Sequence, residues 1–354
     1  MNILRFYVGK TILTTSLITL LALALIRILF ALIDQMNDFG KGAYQFMDGL
    51  AYSLMLAPKY IYEFFPMAIL IGCISGLGIL ASRSELTVMR AVGKTTGQII
   101  GSALSYGLIL IALAIFLGEF VAPKTTKAAE DLRNRAIHGD QFLKSNQGLW
   151  LKDGLQMIRL DEVLGQSKLK GVTIYQLDSD QQLRRITQAA SATLVDDAWQ
   201  LANGQHHLIS DEQIQVENFD AWHWNTSIAL EHLSALRQDP ENFNLLSLND
   251  YRNYLNANGQ DTQAYDLAFW RKIIQPLSTA VMILLAASFI FGPMRSVSMG
   301  ARVLVGVVTG LIYFFTVRAF GPVSLVFGLP AFLGALLPPL IFAGIAWYLL
   351  KKAG

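Results

Sequence analysis

Six long runs of apolar residues constrain the fold of this chain more than any other feature of its sequence. A helix needs about 20 consecutive apolar residues to cross the hydrocarbon core of a bilayer, which is roughly 30 Å thick. The runs that are long enough cover approximately residues 11–33, 52–81, 99–121, 273–291, 303–320 and 332–350. We therefore predict an α-helical polytopic membrane protein with six transmembrane helices.

Charged residues are scarce and unevenly distributed. They make up 15% of the chain, against about 25% in a typical soluble domain. Most of them lie between Lys124 and Lys272. This distribution predicts a water-soluble domain between the third and fourth transmembrane helices. The net charge of +2 gives no indication of nucleic-acid binding.

The short loops differ in positive charge, and this difference predicts the orientation of the chain. The loops on one side carry most of the Lys and Arg residues, namely Arg5, Lys10, Arg83, Arg90, Lys94, Arg295, Arg302, Lys351 and Lys352. The opposite short loops hold few cations, such as Lys41 and Lys59. We expect both termini to be cytoplasmic and the inserted domain to lie on the far side of the membrane.

The inserted domain has the pattern of a β structure. The segment GLWLKDGLQMIRLD contains two strand-like runs around Asp153-Gly154, a strong signal for a β-hairpin. Many short strands with polar turns, such as Asp196-Asp197, favour a sandwich, a jelly roll or an open barrel. The predicted organisation is a first helical half over 1–134, an all-β domain over 135–246, and a connecting helix with the second helical half over 247–354.

Two Gly-Lys-Thr triplets, at Gly93-Lys94-Thr95 and Gly9-Lys10-Thr11, raise the question of nucleotide binding. A P-loop needs an additional glycine five residues earlier, because that glycine begins the turn around the phosphates. Val88 and Leu4 occupy those positions. The sequence therefore predicts that this chain binds no nucleotide through either triplet.

The segment before Gly93 favours a short helix. Residues 82–85 read SRSE, the pattern of a capping box. Leu86, Met89 and Val92 recur at threes and suggest one apolar stripe, and Gly93 is a good C-terminal stop. Two interpretations stay open: an ordinary turn between two spans, or a helix that docks into another protein.

A membrane enzyme is one class of function that the sequence must be tested against. The histidines all lie outside the predicted spans (His138, His206, His207, His223 and His232). The interior of the spans contains no Asp, and the chain contains no H-E-x-x-H motif. His206, His207 and His223 lack a companion pattern of metal ligands. We expect a non-catalytic protein without a metal site.

Several longer segments resemble one family, in order along nearly the whole chain. They are YVGKTILTT, PMAILIGCISGLGILASRSELTVMRAVG, GEFVAP, QGLWLKDG, QPLSTAVMILLAASFIFGPMRSVSMGARV and FGLPAFLGALLPP. These segments resemble the LptF/LptG permease family, and its LptG branch most.

The resemblance implies a permease subunit of the ABC transporter that exports lipopolysaccharide. Such a subunit pairs with an LptF-type paralogue and with two copies of an LptB-type cytoplasmic ATPase. It passes lipopolysaccharide from the inner membrane, through periplasmic β-jellyroll domains, to LptC- and LptA-type bridge proteins. ATP and Mg²⁺ are used by the ATPase, and this chain itself binds no cofactor.

The resemblance also implies site residues. The helix at about 83–92 is the coupling helix, and its contacts with the ATPase are expected from Glu85, Leu86, Met89, Arg90 and Val92. Lipid phosphates need cations near the far side of the membrane, and the candidates are Arg27, Arg318, Lys41, Arg133 and Arg135. Cations at such positions also snorkel, pair between spans or remain solvated.

The chain departs from the family pattern at the end of the first span. Ala31 and the pair Asn37-Asp38 occupy positions where the family pattern has lysines. Arg27 lies one turn before Ala31 on a similar face and can substitute for that lysine, and Lys41 lies close to the Asn37-Asp38 pair. A second function also stays open: an ATPase-coupled mechanotransmitter that carries no lipid itself. Arg27 and Arg318 favour transport, because such a mechanotransmitter needs no buried cations.

Overall fold

The computed structural model describes residues 2–139, 143–164, 167–195, 198–210, 213–226, 228, 238–292 and 297–353. Arg295, His232 and the predicted turn at Asp196-Asp197 lie outside these residues. The described α-helices are α1 (Asn2–Gln35), α2 (Phe46–Met55), α3 (Ala57–Ser82), α4 (Glu85–Ala91), α5 (Thr96–Phe116), α6 (Ala122–His138), α7 (Leu245–Ala257), α8 (Gln263–Phe291), α9 (Met299–Val326) and α10 (Ala331–Ala353). The described strands are β1 (Leu143–Asp153), β2 (Gln156–Leu164), β3 (Lys168–Leu177), β4 (Leu183–Val195), β5 (Ala198–Ile209) and β6 (Ile214–Trp224).

Six helices of the described chain are long and apolar enough to cross a membrane, which confirms the six predicted spans. They cover Ile3–Asp38, Ala57–Ser82, Thr96–Ile137, Gln263–Phe291, Met299–Val326 and Ala331–Lys352. In α3 and α8, 78% and 61% of the apolar window is buried within the chain, against 22% in α1 and 17% in α9. We call α3 and α8 the central helices and α1 and α9 the peripheral helices.

The boundaries of two spans differ from the sequence prediction. The second span begins at Ala57, not at 52, because the helix is interrupted at Leu56, between α2 and α3. Pro58, near the N-terminus of α3, has no N–H with which to continue α2. The third span extends beyond 121, since α5 passes through a π-helical turn (Leu117–Val121) directly into α6.

Glycines allow the peripheral helices to approach α3 closely. A Cβ atom on Gly72 would lie 2.3 Å from the Cα atom of Ser16 in α1. On the other side, a Cβ atom on Gly310 of α9 would lie 2.7 Å from the side chain of Met67 in α3. Small residues permit such contacts in membrane proteins, where close packing holds helices together.

The domain between the third and fourth spans is a single antiparallel sheet in the order β1-β2-β3-β4-β5-β6. This confirms the predicted all-β insertion into a helical membrane protein. The predicted hairpin joins β1 to β2, and Gly154 adopts a positive φ of 58° in its turn. Every strand pairs with its neighbours in sequence, which is the order of a meander.

Helix α7 closes one face of the sheet. Leu248 and Tyr254 of α7 belong to the same buried apolar cluster as Ile158 and Ile174 of the sheet. The Tyr254 hydroxyl donates to the Lys152 carbonyl at 2.8 Å, and burial raises the pKa of Tyr254 to about 12. The helix that leads back to the membrane is therefore part of the β domain's core.

Candidate functional sites at the two ends of the helix bundle

Helix α4, predicted as the coupling helix, lies between α3 and α5 at the end of the bundle opposite the β domain. It begins at Glu85, after Ser84 with φ of 60°, and Ser84 makes no side-chain cap. The predicted capping box is wrong, because Ser82 still belongs to α3 and its hydroxyl donates to the Ile79 carbonyl at 2.9 Å.

The C-terminus of α4 agrees with the sequence prediction. Gly93 has φ of 89°, its N–H donates to the Arg90 carbonyl at 3.0 Å, and the Lys94 N–H donates to the Met89 carbonyl at 3.0 Å. This pair of bonds is a Schellman motif, which favours glycine at the left-handed position. Gly93-Lys94-Thr95 therefore ends a helix.

The apolar stripe of α4 is narrower than predicted. Leu86 and Met89 are buried in the main core of the bundle, but Val92 is 75% exposed. With 3.6 residues per turn, two steps of three residues rotate Val92 about a third of a turn away from Leu86. The chain's own spans cover the stripe, and the exposed surface of α4 contains Val88, Arg90 and Val92.

Glu85 is half-buried and turns toward α1. The Tyr7 hydroxyl donates to Glu85 Oε1 at 3.2 Å. Glu85 Oε2 is buried and has no hydrogen-bond partner among the described residues. The carboxylate therefore connects α4 to the first span and keeps one acceptor unused.

At the β-domain end of the bundle, Asp38 brings two predicted cations together. Lys41 Nζ lies 2.6 Å from Asp38 Oδ1, and Arg133 of α6 forms an ion pair with the other oxygen of the same carboxylate. Tyr44, fully buried in the same loop, donates to Gln35 at 3.0 Å and fixes the loop. Burial raises the pKa of Tyr44 to about 12, so this donor keeps its proton at neutral pH.

Arg27 lies near this group on the peripheral helix α1. Its guanidinium carbon is 4.3 Å from the centre of the Tyr60 ring, and its Nη1 is 3.8 Å from Asp34. Ala31 is buried with Tyr60 and Ala129. A small residue at 31 therefore fits the packing, and Arg27 supplies a cation one turn earlier. Arg135 is exposed, two residues after Arg133 on α6.

Arg318, on the peripheral helix α9, belongs to a second group. It forms an ion pair with Glu63 of α3 and lies 5.2 Å from the centre of the Phe314 ring. It lines a cavity of about 140 Å³ among α3, α8, α9 and α10, with Lys59, Arg271 and Lys272 also on the wall. Four of the five predicted cations therefore lie in two groups around one end of α3, with Arg27, Lys41 and Arg133 in the first and Arg318 in the second.

Sequence reasoning missed Arg271 and Lys272. The fourth span was predicted to start at 273, whereas α8 begins at Gln263 and carries both cations inside the helix. Lys272 Nζ lies 2.9 Å from Glu119 Oε1. Glu119 was the available signal, because an acidic residue in a predicted span indicates a partner or a function.

Comparison with known proteins agrees with this architecture. Residues 6–352 match the model of the family described as lipopolysaccharide export system permease LptF/LptG. The chain is 38% identical to the lipopolysaccharide export system permease protein LptG of Escherichia coli K12, over 99% of both chains. It is 35% identical to the protein of the same name from Haemophilus influenzae Rd, also over 99% of both chains. The chain belongs to the LptF/LptG family of lipopolysaccharide export system permeases, as the resemblance of its sequence predicted.

Proposed function

We propose that this chain is a permease subunit that extracts lipopolysaccharide from the inner membrane and passes it to a periplasmic bridge. The observation that carries the proposal is the family match, which includes both helical halves and the β domain in one chain. Short-loop cations support a topology in which both termini and α4 are cytoplasmic and the β domain is periplasmic.

A separate ATPase of the LptB type, in two copies, supplies the driving force. The exposed surface of α4 supports this role, since Val88, Arg90 and Val92 are available to a partner. Leu86 and Met89 connect that surface to the core of the bundle. Glu85 acts between the two, through its contact with Tyr7. ATP and Mg²⁺ belong to the ATPase, and this chain binds neither.

The peripheral helices support a lipid path shared with a second permease of the LptF type. Leu21 and Phe30 of α1 and Leu304 and Phe315 of α9 are exposed large apolar side chains. Each buried CH₂ group of a lipid is worth about 0.8 kcal/mol, so exposing a chain of about a dozen carbons to water costs on the order of 10 kcal/mol. A continuous apolar wall avoids that cost, and the β domain continues it toward LptC- and LptA-type partners.

Arg27, Lys41, Arg133, Arg135 and Arg318 bind the phosphates of the lipid head group at the periplasmic end. Arginine suits this role because its planar fork of donors matches phosphate oxygens. The cations are anchored but not deeply enclosed: Arg318 keeps about half of its side chain exposed. Phosphate oxygens would compete with Asp34, Asp38 and Glu63 for these donors.

Those same carboxylates favour a second candidate, the mechanotransmitter that moves no lipid itself. Arg27, Arg133 and Arg318 each have an acidic partner already. A cation that is fully engaged by the chain would stabilise the bundle without contacting lipopolysaccharide.

Site-specific photo-crosslinking in the β domain separates the two functions. Phe219 is half-buried against the core of the sheet, whereas its neighbour Asn218 is exposed. Successive residues of a strand point to opposite faces. With p-benzoylphenylalanine at Phe219, we expect ATP-dependent adducts with lipopolysaccharide, and far fewer with the probe at Asn218. An assembled, ATP-hydrolysing complex without adducts at Phe219 would instead identify a mechanotransmitter.

A further inference from the structure

A buried ion pair joins three elements where the helix bundle meets the β domain. Lys272 Nζ of α8 lies 2.9 Å from Glu119 Oε1 and 3.0 Å from the Gly118 carbonyl, both in the π-helical turn of the third span. The second carboxylate oxygen, Glu119 Oε2, accepts from the Leu245 N–H at 2.7 Å. Leu245 is the first residue of α7. One carboxylate thus links the third span, the fourth span and the helix that closes the sheet.

The π-helical turn provides an acceptor for this junction. The Ala122 N–H donates to the Leu117 carbonyl, so the Gly118 carbonyl loses its usual helical donor and accepts from Lys272 instead. Pro123 follows, and because proline has no N–H it donates no helical hydrogen bond to the backbone carbonyl of Glu119. Single π-helical turns inside long helices are frequent at functional sites.

The pair is enclosed, and both of its partners make further hydrogen bonds to the backbone. The side chain of Lys272 is 6% exposed and that of Glu119 is 15% exposed. Replacing a buried ion pair by apolar residues of similar volume is often neutral or stabilising. Stability alone is therefore a weak reason for a charged pair here, whereas a fixed geometry among three elements requires directional bonds.

The link continues from α7 to the sheet. Asn258, directly after α7, accepts from the Gly154 N–H at 2.6 Å in the β1–β2 turn, and the Tyr254 hydroxyl donates to the Lys152 carbonyl. Helix α7 has 13 residues, which corresponds to about 20 Å at 1.5 Å per residue. The N-terminus of α7 is therefore hydrogen-bonded to Glu119, and its C-terminal end is hydrogen-bonded to the first hairpin of the β domain.

We infer that Glu119 and Lys272 are positioning residues that fix the orientation of the β domain relative to the third and fourth spans, so that lipid leaving the bundle meets the face of the sheet that carries Phe219. This inference rests on the proposed function. Neither residue needs to touch the lipid, because the pair acts through α7.

The test uses the double variant Glu119→Leu/Lys272→Met in the full transporter complex. It removes both charges together, so no unpaired charge stays buried, and it removes the acceptor for the Leu245 N–H. The matched control is Glu162→Leu/Lys170→Met, which deletes a salt bridge of 3.3 Å between neighbouring strands of the sheet.

The readout is the distance between the β domain and the helix bundle. Spin labels are attached to cysteines introduced at Asp180, in the β3–β4 turn, and at Val326, at the end of α9. The native Cys73 is buried and therefore shielded from the label.

The expected result is a broadened distance distribution in Glu119→Leu/Lys272→Met and an unchanged one in the control. ATP-driven transfer of lipopolysaccharide to the bridge should fall roughly tenfold, within the usual range of coupling between sites, while ATP hydrolysis and complex assembly continue. An unchanged distance distribution would overturn the inference, and so would unimpaired transfer despite a broadened one. If the unmodified complex transfers no lipid, the proposed function fails, but the distances still decide whether the pair positions the domain.

Discussion

The central helices α3 and α8 and the peripheral helices α1 and α9 are all apolar enough to span a membrane, yet different surroundings cover them. Most of the apolar window of each central helix is buried by the chain itself, whereas about a fifth is buried in each peripheral helix. Lipid and protein interior are both apolar, so hydropathy alone does not separate these cases. The difference indicates which helices form the scaffold and which face lipid or a partner.

Three of the cations at the β-domain end of the bundle differ in the same way. Lys272 of the central helix α8 is buried with Glu119, whereas Arg318 of the peripheral helix α9 and Arg27 of the peripheral helix α1 stay partly exposed beside their partners. Buried charges need fixed partners. Partly exposed cations can exchange theirs for a ligand. The structural pair therefore includes a cation of a central helix, whereas two of the candidate head-group contacts, Arg27 and Arg318, lie on the peripheral helices.

The largest effect on stability should come from removing the carboxylate that pairs with Lys272 in the central helix α8. Glu119→Gln leaves Lys272 buried without a carboxylate, and we expect a loss of about 3–5 kcal/mol in the free energy of unfolding. Glu63→Gln removes the partner of the half-exposed Arg318 and should cost about 0–1 kcal/mol. Denaturant unfolding in detergent compares the two variants; equal losses would contradict the distinction between central and peripheral charges.

Crowding the contact between α3 and α1 should have the next largest effect. Gly72→Leu would force side-chain atoms against the backbone of Ser16, at a cost of about 1–3 kcal/mol from overpacking. Gly344→Leu in α10 is the control, because among the described residues no atom outside the adjacent turns of its own helix lies within 4 Å of a Cβ atom there. Thermal unfolding of the purified complexes measures both. Equal midpoints would show that α1 is not held closely against α3.

Helix α4 offers a smaller, more selective effect. Glu85→Lys should weaken co-purification of the ATPase roughly tenfold, about 1.4 kcal/mol, while the permease still folds. The variant Arg83→Glu, at the exposed end of α3, reverses a neighbouring charge in the opposite direction and shows whether any charge reversal near the loop has the same effect. Unaffected co-purification in Glu85→Lys would show that Glu85 does not take part in coupling.

The smallest expected effect is a pH dependence in the β domain. Burial, followed by the charge of Arg185, lowers the pKa of His206, whose ring stacks on Phe219 at 4.5 Å. A lowered pKa means that the unfolded chain binds a proton more readily, so His206 contributes stability above about pH 6.5 that is lost as pH falls through its folded pKa. Unfolding measured from pH 8 to 5 should show this loss, and His206→Phe should reduce it. An identical pH slope in His206→Phe would refute the assignment.

Local signals in the sequence predicted much of this molecule. The lengths of the apolar runs predicted six spans, and Gly93 and Asp153-Gly154 predicted a helix end and a hairpin, because each depends on a few adjacent residues. The capping box failed, since whether Ser82 caps α4 depends on where α3 ends.

The charge pairs depend on contacts across the whole chain. Glu119 and Lys272 are 153 residues apart, and Arg318 and Glu63 are 255 apart. No periodicity links such positions. The sequence therefore identified Arg27, Lys41, Arg133, Arg135 and Arg318 one by one. It did not predict that cations form two groups, or which carboxylate lies beside each group.

The most direct test of the account is photo-crosslinking of lipopolysaccharide to the unmodified chain and to Arg27→Ala and Arg318→Ala, one variant in each peripheral helix. Lys351→Ala, exposed at the opposite end of the bundle, is the control. If the peripheral helices carry the lipid, both arginine variants should lose adducts severalfold, at about 1–3 kcal/mol for each charge-assisted contact removed, and the control should lose none. Undiminished adducts in both arginine variants would contradict the head-group role of these cations.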